Sequence, residues 1–237
     1  MQADETGKRE LAKAERRSRI VHAARDLIRE TGDTNLSMRM IAKRADVSLA
    51  TPYNLFGSKH AVVLAVFEDE RDFAERFSRL KAANAIERLF DAHALATSYF
   101  TDDPDFYRPL WRALLDAQGT NETGLATPER LEQNREAWHM LLEAAQREGL
   151  LDPAVPADLL ERTLSFFANG VMLSWAMGVL PTRDLRPSSA LGYALVLRGA
   201  ATDQGRDILT AHIEKFQAML RRSNEPAKGR RRVSLGT

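Results

Sequence analysis

The chain has no cysteine among its 237 residues. Disulfides and thiolate metal sites are thereby excluded. It has no apolar run able to span a bilayer. The best stretch, FFANGVMLSWAMGVL (166–180), falls short of the roughly 20 residues a spanning helix needs, and Asn169, Gly170 and Gly178 interrupt it. The first residues are polar and charged, without the apolar centre of a secretory signal, so a cytoplasmic protein with no membrane partner is expected. No stretch alternates in the period of a strand, and no internal repeat stands out. HExxH, G-x-S-x-G and a phosphate-cradling loop are all missing. Glu136 and His139 form one E-x-x-H, but a di-iron bundle needs two such pairs and further glutamates, and His22, His60, His93 and His212 lack a Glu three residues earlier. Neither an enzyme, a cofactor nor a metal is expected.

What the sequence does contain is helix and unevenly spread charge. The net charge of +1 conceals three regions. Residues 1–60 carry 12 Lys/Arg against 8 Asp/Glu, residues 61–214 carry 15 against 24, and residues 215–237 carry 7 against 1. Two basic ends around an acidic middle direct any polyanion to the ends.

Helical periodicity places Ile20, Ala24, Leu27 and Ile28 on one face, with Gly32 as a stop. Ser37 is positioned to cap MRMIAKRA, whose Met38, Ile41, Ala42 and Ala45 share a face. Asp46 and Val47 make a turn, and Ser48 is expected to cap a third short helix ending near Phe56. Gly57 breaks that helix, and Ser58 caps a long one that should run to about Leu80. Long amphipathic helices follow, with Pro104, Pro128, Pro156 and Pro187 near their starts, where a missing N–H costs little. The expected fold is all-α. A flexible basic arm (1–15) leads to a three-helix helix-turn-helix unit (16–60) and a connecting helix (61–80). A larger helical domain (81–223) and a disordered basic tail (224–237) complete the chain.

Two short helices across a tight turn, braced by a longer one, describe a helix-turn-helix, and the second short helix would enter the major groove. Pro52 near its start forfeits little and stiffens the opening turn. Thr51 offers a hydroxyl and a methyl to base edges, while Leu49 and Ala50 can touch a thymine methyl. Tyr53 and Asn54 have polar tips within reach of phosphate. Lys59 sits at a helix start, where backbone N–H groups also attract phosphate. Phe56 is read as core.

The segment SMRMIAKRADVSLATPYNLFGSKHAVVLAVF resembles the DNA-binding signature of the TetR family of bacterial transcriptional regulators. The resemblance lies in IA at 41–42, AxVS at 45–48, T-x-Y-x-x-F at 51–56 and SK at 58–59, and it covers roughly residues 16–68. Asp46 in place of the usual turn glycine and Pro52 in place of an aliphatic residue are departures. The resemblance implies a DNA-binding domain, a ligand-sensing domain and a homodimer on a pseudo-palindromic operator. By position, Arg39, Leu49, Ala50 and Thr51 resemble the family's base-reading residues, and Ser37, Tyr53, Asn54 and Lys59 its phosphate contacts.

The reading is therefore a ligand-responsive regulator, most simply a repressor released by a small, largely apolar effector. A helical-bundle enzyme with an incidental helix-turn-helix, and a regulator that senses no small molecule, are the alternatives. Bulk and polarity nominate Phe106, Trp111, Trp138, Phe166 and Met172 as pocket walls. His93, Tyr107, His139 and Asn169 are the candidate polar anchors. Gly170, Met172, Trp175 and Gly178 are candidates for the dimer surface.

Overall fold

The computed structural model describes residues 2–69, 73–116 and 128–224. Among the described residues the chain forms eleven helices and no strand. The first four are α1 (Gln2–Thr31), α2 (Met38–Arg44), α3 (Ala50–Phe56) and α4 (Lys59–Asp69). There follow α5 (Phe73–Ser78), α6 (Ala85–Asp102), α7 (Pro104–Asp116) and α8 (Pro128–Arg147). The last three are α9 (Ala157–Ala176), α10 (Thr182–Gly199) and α11 (Asp203–Asn224).

Local chemistry sets several of these boundaries. The Ser37 hydroxyl accepts the Met40 N–H at 3.2 Å to open α2, and that of Ser58 accepts the Ala61 N–H at 3.1 Å at the start of α4. Gly57, at φ +79° and ψ −47°, adopts a positive-φ conformation open mainly to glycine and ends α3. Asp46 is the one non-glycine residue with positive φ (+52°) among the described residues, as its place in the turn required. The Asn84 side chain caps α6 by accepting the Glu87 N–H, and Glu148 reaches across from the end of α8 to accept the Ala85 N–H at 2.7 Å.

Three expectations change. Residues 2–15 are the opening turns of α1, not a flexible arm; Ala, Glu, Lys and Arg are strong helix formers, and nothing before Gly32 except Gly7 interrupts them. The connecting helix is two elements, α4 and α5, with 70–72 outside the described residues. Helix α10 begins at Thr182, five residues before Pro187, because Pro181 precedes it and the Thr182 hydroxyl accepts from both Trp175 Nε1 (3.1 Å) and Arg108 (2.9 Å). The basic tail from 225 onward lies outside the described residues, and α11 extends through Asn224.

Two apolar clusters organise the molecule. The first unites Ile20, Ala24, Leu27 and Ile28 of α1, Ile41 of α2, and Val62, Val63, Val66 and Phe67 of α4. Phe100 of α6, Trp111 of α7 and Trp175 of α9 join the same cluster, so one core crosses from the helix-turn-helix unit into the larger domain. The second joins α6, α8, α9, α10 and α11 around Leu89, Leu142, Leu164, Ala194 and Leu197. At its outer end, the turn after α8 and the turn after α10 are pinned by backbone pairing. Leu151 and Ala201 form an antiparallel bridge, Asp152 N–H donates to Ala200 at 2.8 Å, and Thr202 N–H donates to Leu150 at 3.2 Å.

Candidate nucleic-acid interface

Helices α2 and α3 are locked to their domain by inward residues and leave a polar surface outside. Met38, Ile41, Ala42 and Ala45 are buried, as the helical spacing required. Val47 is half-buried against the same core and donates its N–H to Ala42 at 3.0 Å, filling the space under the turn. Pro52 is buried, and Leu55 and Phe56 pack against the core, so α3 presents the opposite arc to solvent. That arc carries Leu49, Ala50, Tyr53 and Asn54, at spacings of one and four that share one helix face. Leu49 and Tyr53 are each 51% exposed, unusual for an aliphatic side chain and an aromatic one with no covering neighbour. Thr51, half-buried, flanks them. On α2, Ser37, Arg39, Met40, Lys43 and Arg44 face outward, and Lys59 is exposed at the start of α4.

Ser48 does not cap α3. The N-cap position falls on Leu49, and the Ser48 hydroxyl instead pairs with the Thr51 hydroxyl at 2.8 Å, while its carbonyl accepts the Thr51 N–H at 3.0 Å. Two hydroxyls three residues apart can serve each other as readily as the backbone. Ser37 is both an expected phosphate contact and a working cap, and its donor proton stays available while its oxygen accepts from Met40.

Three anchors of this surface were not nominated from sequence. Arg44 makes a two-pronged bond to Glu30 of α1 (2.8 and 2.6 Å), and these hydrogen bonds hold the Glu30 carboxyl below its ordinary range. Arg17 lays its guanidinium 4.2 Å over the Phe56 ring and donates to the Leu55 carbonyl at 3.2 Å, fixing the end of α3 against α1. Met40, 43% exposed beside Arg39, adds an apolar side chain to the outward face of α2. Only a three-dimensional arrangement reveals the two arginine contacts, since the partners lie 14 and 38 residues away.

In the larger domain the nominated residues separate. Phe106, Tyr107, Trp111 and Met172 lie in the core shared with α4. His93 is buried in the space between α6 and α10, where its Nε2 meets the Ser189 hydroxyl at 2.8 Å and its ring lies 4.7 Å from that of Tyr193. Burial, reinforced by Arg186, pushes its pKa down to about 3, so it is neutral. Trp138 meets Tyr193 edge-on at 6.0 Å, and burial, with Glu161 nearby, pushes the Tyr193 hydroxyl up. His139 pairs with Glu143 at 3.3 Å rather than with Glu136, and no group of three or more metal-ligating side chains occurs among the described residues. Phe166 is 70% exposed and Asn169 is exposed, so neither is a wall or anchor inside the domain. Met172 and Trp175, expected on the dimer surface, are buried in the chain's own core, whereas Gly170 and Gly178 are exposed. No helix is long and apolar enough to cross a membrane among the described residues.

The comparisons with known proteins agree with this geometry. The family described as bacterial regulatory proteins, tetR family, matches residues 20–66, from the core of α1 through Val66 of α4. The HTH-type transcriptional repressor KstR of Rhodococcus jostii (strain RHA1) is 31% identical over 110 residues, 46% of this chain; the match spans about half (52%) of that relative. In fold, a TetR transcription regulator from Haloarcula marismortui ATCC 43049 superposes with a TM-score of 0.61 at 16% identity, covering 80% of this chain and 100% of that one. A TetR regulator from Rhodococcus sp. RHA1 gives 0.58 at 22% identity, over 78% and 97%. The structure described as a SmeT–triclosan complex gives 0.58 at 21% identity, over 79% and 92%. Residues 20–66, the helix-turn-helix domain, are thus matched in sequence by the tetR family of bacterial regulatory proteins, and the chain as a whole is similar to tetR regulators in fold.

Proposed function

We propose that the chain is a transcriptional repressor that binds a pseudo-palindromic operator as a homodimer and releases it when a small, largely apolar effector occupies the larger domain. The observation that carries the reading is the outward face of α2 and α3. Arg39, Leu49, Ala50, Tyr53 and Asn54 are exposed there, Thr51 flanks them, and Lys59 stands at the start of the next helix, all on elements clamped from behind by Arg17 and Arg44. Arg39, Leu49, Ala50 and Thr51 meet base edges in this arrangement, and Ser37, Tyr53, Asn54 and Lys59 meet phosphates.

Two half-sites need two reading heads. The surface that supports pairing is the outward stripe of α9 and its C-cap: Leu159, Phe166, Gly170, Leu173 and Met177 follow at steps of seven, four, three and four residues, and Leu195 of α10 is also exposed. For the effector, the supporting features are a polar group enclosed by apolar walls and the precedent of the fold. His93, Ser189 and Tyr193 are buried beside Trp138, and His139 Nδ1 is buried without a partner. One structure of similar fold is described as a SmeT–triclosan complex.

The test begins by selecting duplexes from a random pool with the full chain, then comparing native protein with Lys59→Ala across salt concentrations. Loss of one phosphate contact should weaken all sequences alike and flatten the salt slope by about one. Unchanged affinity and slope on the selected duplex would refute the docking.

A further inference from the structure

A cleft of about 500 Å³ opens on the larger domain, where α5 and the turn after it meet the start of α6 and one side of α8. That volume suits a small molecule. Helix α8 supplies one wall at helical steps, with Ala137, Met140, Leu141, Ala144 and Arg147 on a shared face. Phe77 and Leu80 form the other, half-buried against the second apolar cluster. Neither His93, Trp138, His139, Ser189 nor Tyr193 lines this cleft, so it is distinct from the enclosed polar group of the effector reading.

Its charge runs against its surroundings. Residues 61–214 carry 15 Lys/Arg against 24 Asp/Glu. Yet Lys81, Arg88 and Arg147 all line the cleft, and Glu148 is the one acidic residue among its walls. Glu148 is already engaged, accepting the Ala85 N–H at 2.7 Å. With Asn84 accepting the Glu87 N–H, the start of α6 is capped by the chain itself, and an anion in the cleft falls to the side chains. None of the three cations has an ion-pair partner among the described residues. Arg88 is the most constrained: its guanidinium lies over Phe77, 5.5 Å from the ring centroid, and its Nε is buried without an acceptor. A buried charged donor left unpaired is destabilising, and an anion at the guanidinium relieves it.

We propose that this cleft is a ligand site for an organic anion. Its carboxylate or phosphate meets Lys81, Arg88 and Arg147, and an apolar chain lies along Leu80, Met140 and Leu141. Met140, 56% exposed and flexible, is suited to closing over such a chain. The site goes beyond the apolar effector of the repressor reading and requires no DNA.

The experiment titrates the full chain by calorimetry, without DNA, with decanoate, decyl phosphate and uncharged decanol. Both anions should bind saturably and about tenfold or more tightly than decanol, and the tighter of the two identifies the headgroup. The double variant R88Q/R147Q should weaken both anions about tenfold or more, with thermal unfolding checking that the fold survives. A charge swap at exposed Met140 decides the matter even where that variant unfolds. Met140→Glu should weaken the anions and Met140→Lys tighten them, each by about threefold, while decanol is little affected. No saturable binding of either anion, decanol bound as tightly as the anions, or a folded R88Q/R147Q with unchanged affinity would each overturn the proposal. So would a Met140 pair with no opposed shift. With no duplex present, all these outcomes leave the repressor reading standing.

Discussion

The ring of Phe67, at the end of α4, meets the indole of Trp111 edge-on at 5.8 Å, with the ring planes at 89°. Phe67 also faces Phe100 and Tyr107, at 6.2 and 6.1 Å, so the helix that begins at Lys59 ends in an aromatic cluster supplied by α6 and α7. Truncating it removes contacts on both sides of the domain boundary. Phe67→Ala should cost about 3–5 kcal/mol in urea unfolding. Phe67→Leu should cost much less, because most of the volume is kept.

The outward stripe of α9 separates association from stability. Phe166→Asp or Met177→Asp places a carboxylate on an exposed position and should yield a folded monomer by sedimentation, with an unchanged unfolding midpoint at low protein concentration. Met172→Glu buries an unpaired carboxylate within the chain's own core and should instead lower the midpoint of the monomer itself. A monomeric native chain at micromolar concentration would sink the pairing of these helices.

Two glycines make a matched pair. A Cβ on Gly205 would overlap the Leu150 carbonyl, a backbone atom that no rotamer change can move, so Gly205→Ala should be destabilising despite the helix propensity of alanine. Gly199, the last residue of α10, has open space around it, and Gly199→Ala should be neutral or stabilising by up to about 1 kcal/mol. Thermal unfolding of the two variants side by side tests the contrast.

His93 makes stability depend on pH. Its folded pKa, pushed down to about 3 from 6.5, keeps it neutral while the unfolded chain takes up a proton. Below the unfolded value the unfolded state binds more protons, so stability falls as the pH drops from about 6.5 toward 3, by about 1.4 kcal/mol per unit at the steepest. Urea titrations between pH 7 and 5 should show His93→Gln with a flatter dependence than the native chain. Parallel curves would mean that His93 takes up its proton in the folded state.

The helix-turn-helix was legible because its determinants are local. Ser37, Asp46, Gly57 and Ser58 act on neighbours within four residues, and each does in the structure what its chemistry demanded. Ser48 escaped because a serine has two local uses, and the Thr51 hydroxyl took the one that capping needed. The 166–180 segment escaped for another reason. It is apolar on every side, so periodicity cannot tell the face that meets its own core (Met172, Trp175) from the face left outward (Phe166, Leu173, Met177). Arg17 and Arg29 were invisible as anchors, since their aromatic partners come from remote parts of the chain.

The backbone pairing of Leu151 with Ala201 has a mechanical consequence. It ties together the turns that join α8 to α9 and α10 to α11, so four helices share one fastened end. Helix α9 leaves that end at Ala157 and reaches Trp175 about 27 Å away at 1.5 Å per residue. Rotation about the fastened turns would displace Ala157 hardly at all and Trp175 most. A tilt of only about 3° about that pivot is then worth roughly 1.4 Å at the far tip, a lever-arm estimate from the same helical rise. Trp175 lies 5.9 Å from Phe100, so the point of greatest travel sits in the aromatic cluster that also holds Phe67 of α4. Amide exchange should accordingly be slowest at 150–152 and 200–202, the still point of the domain.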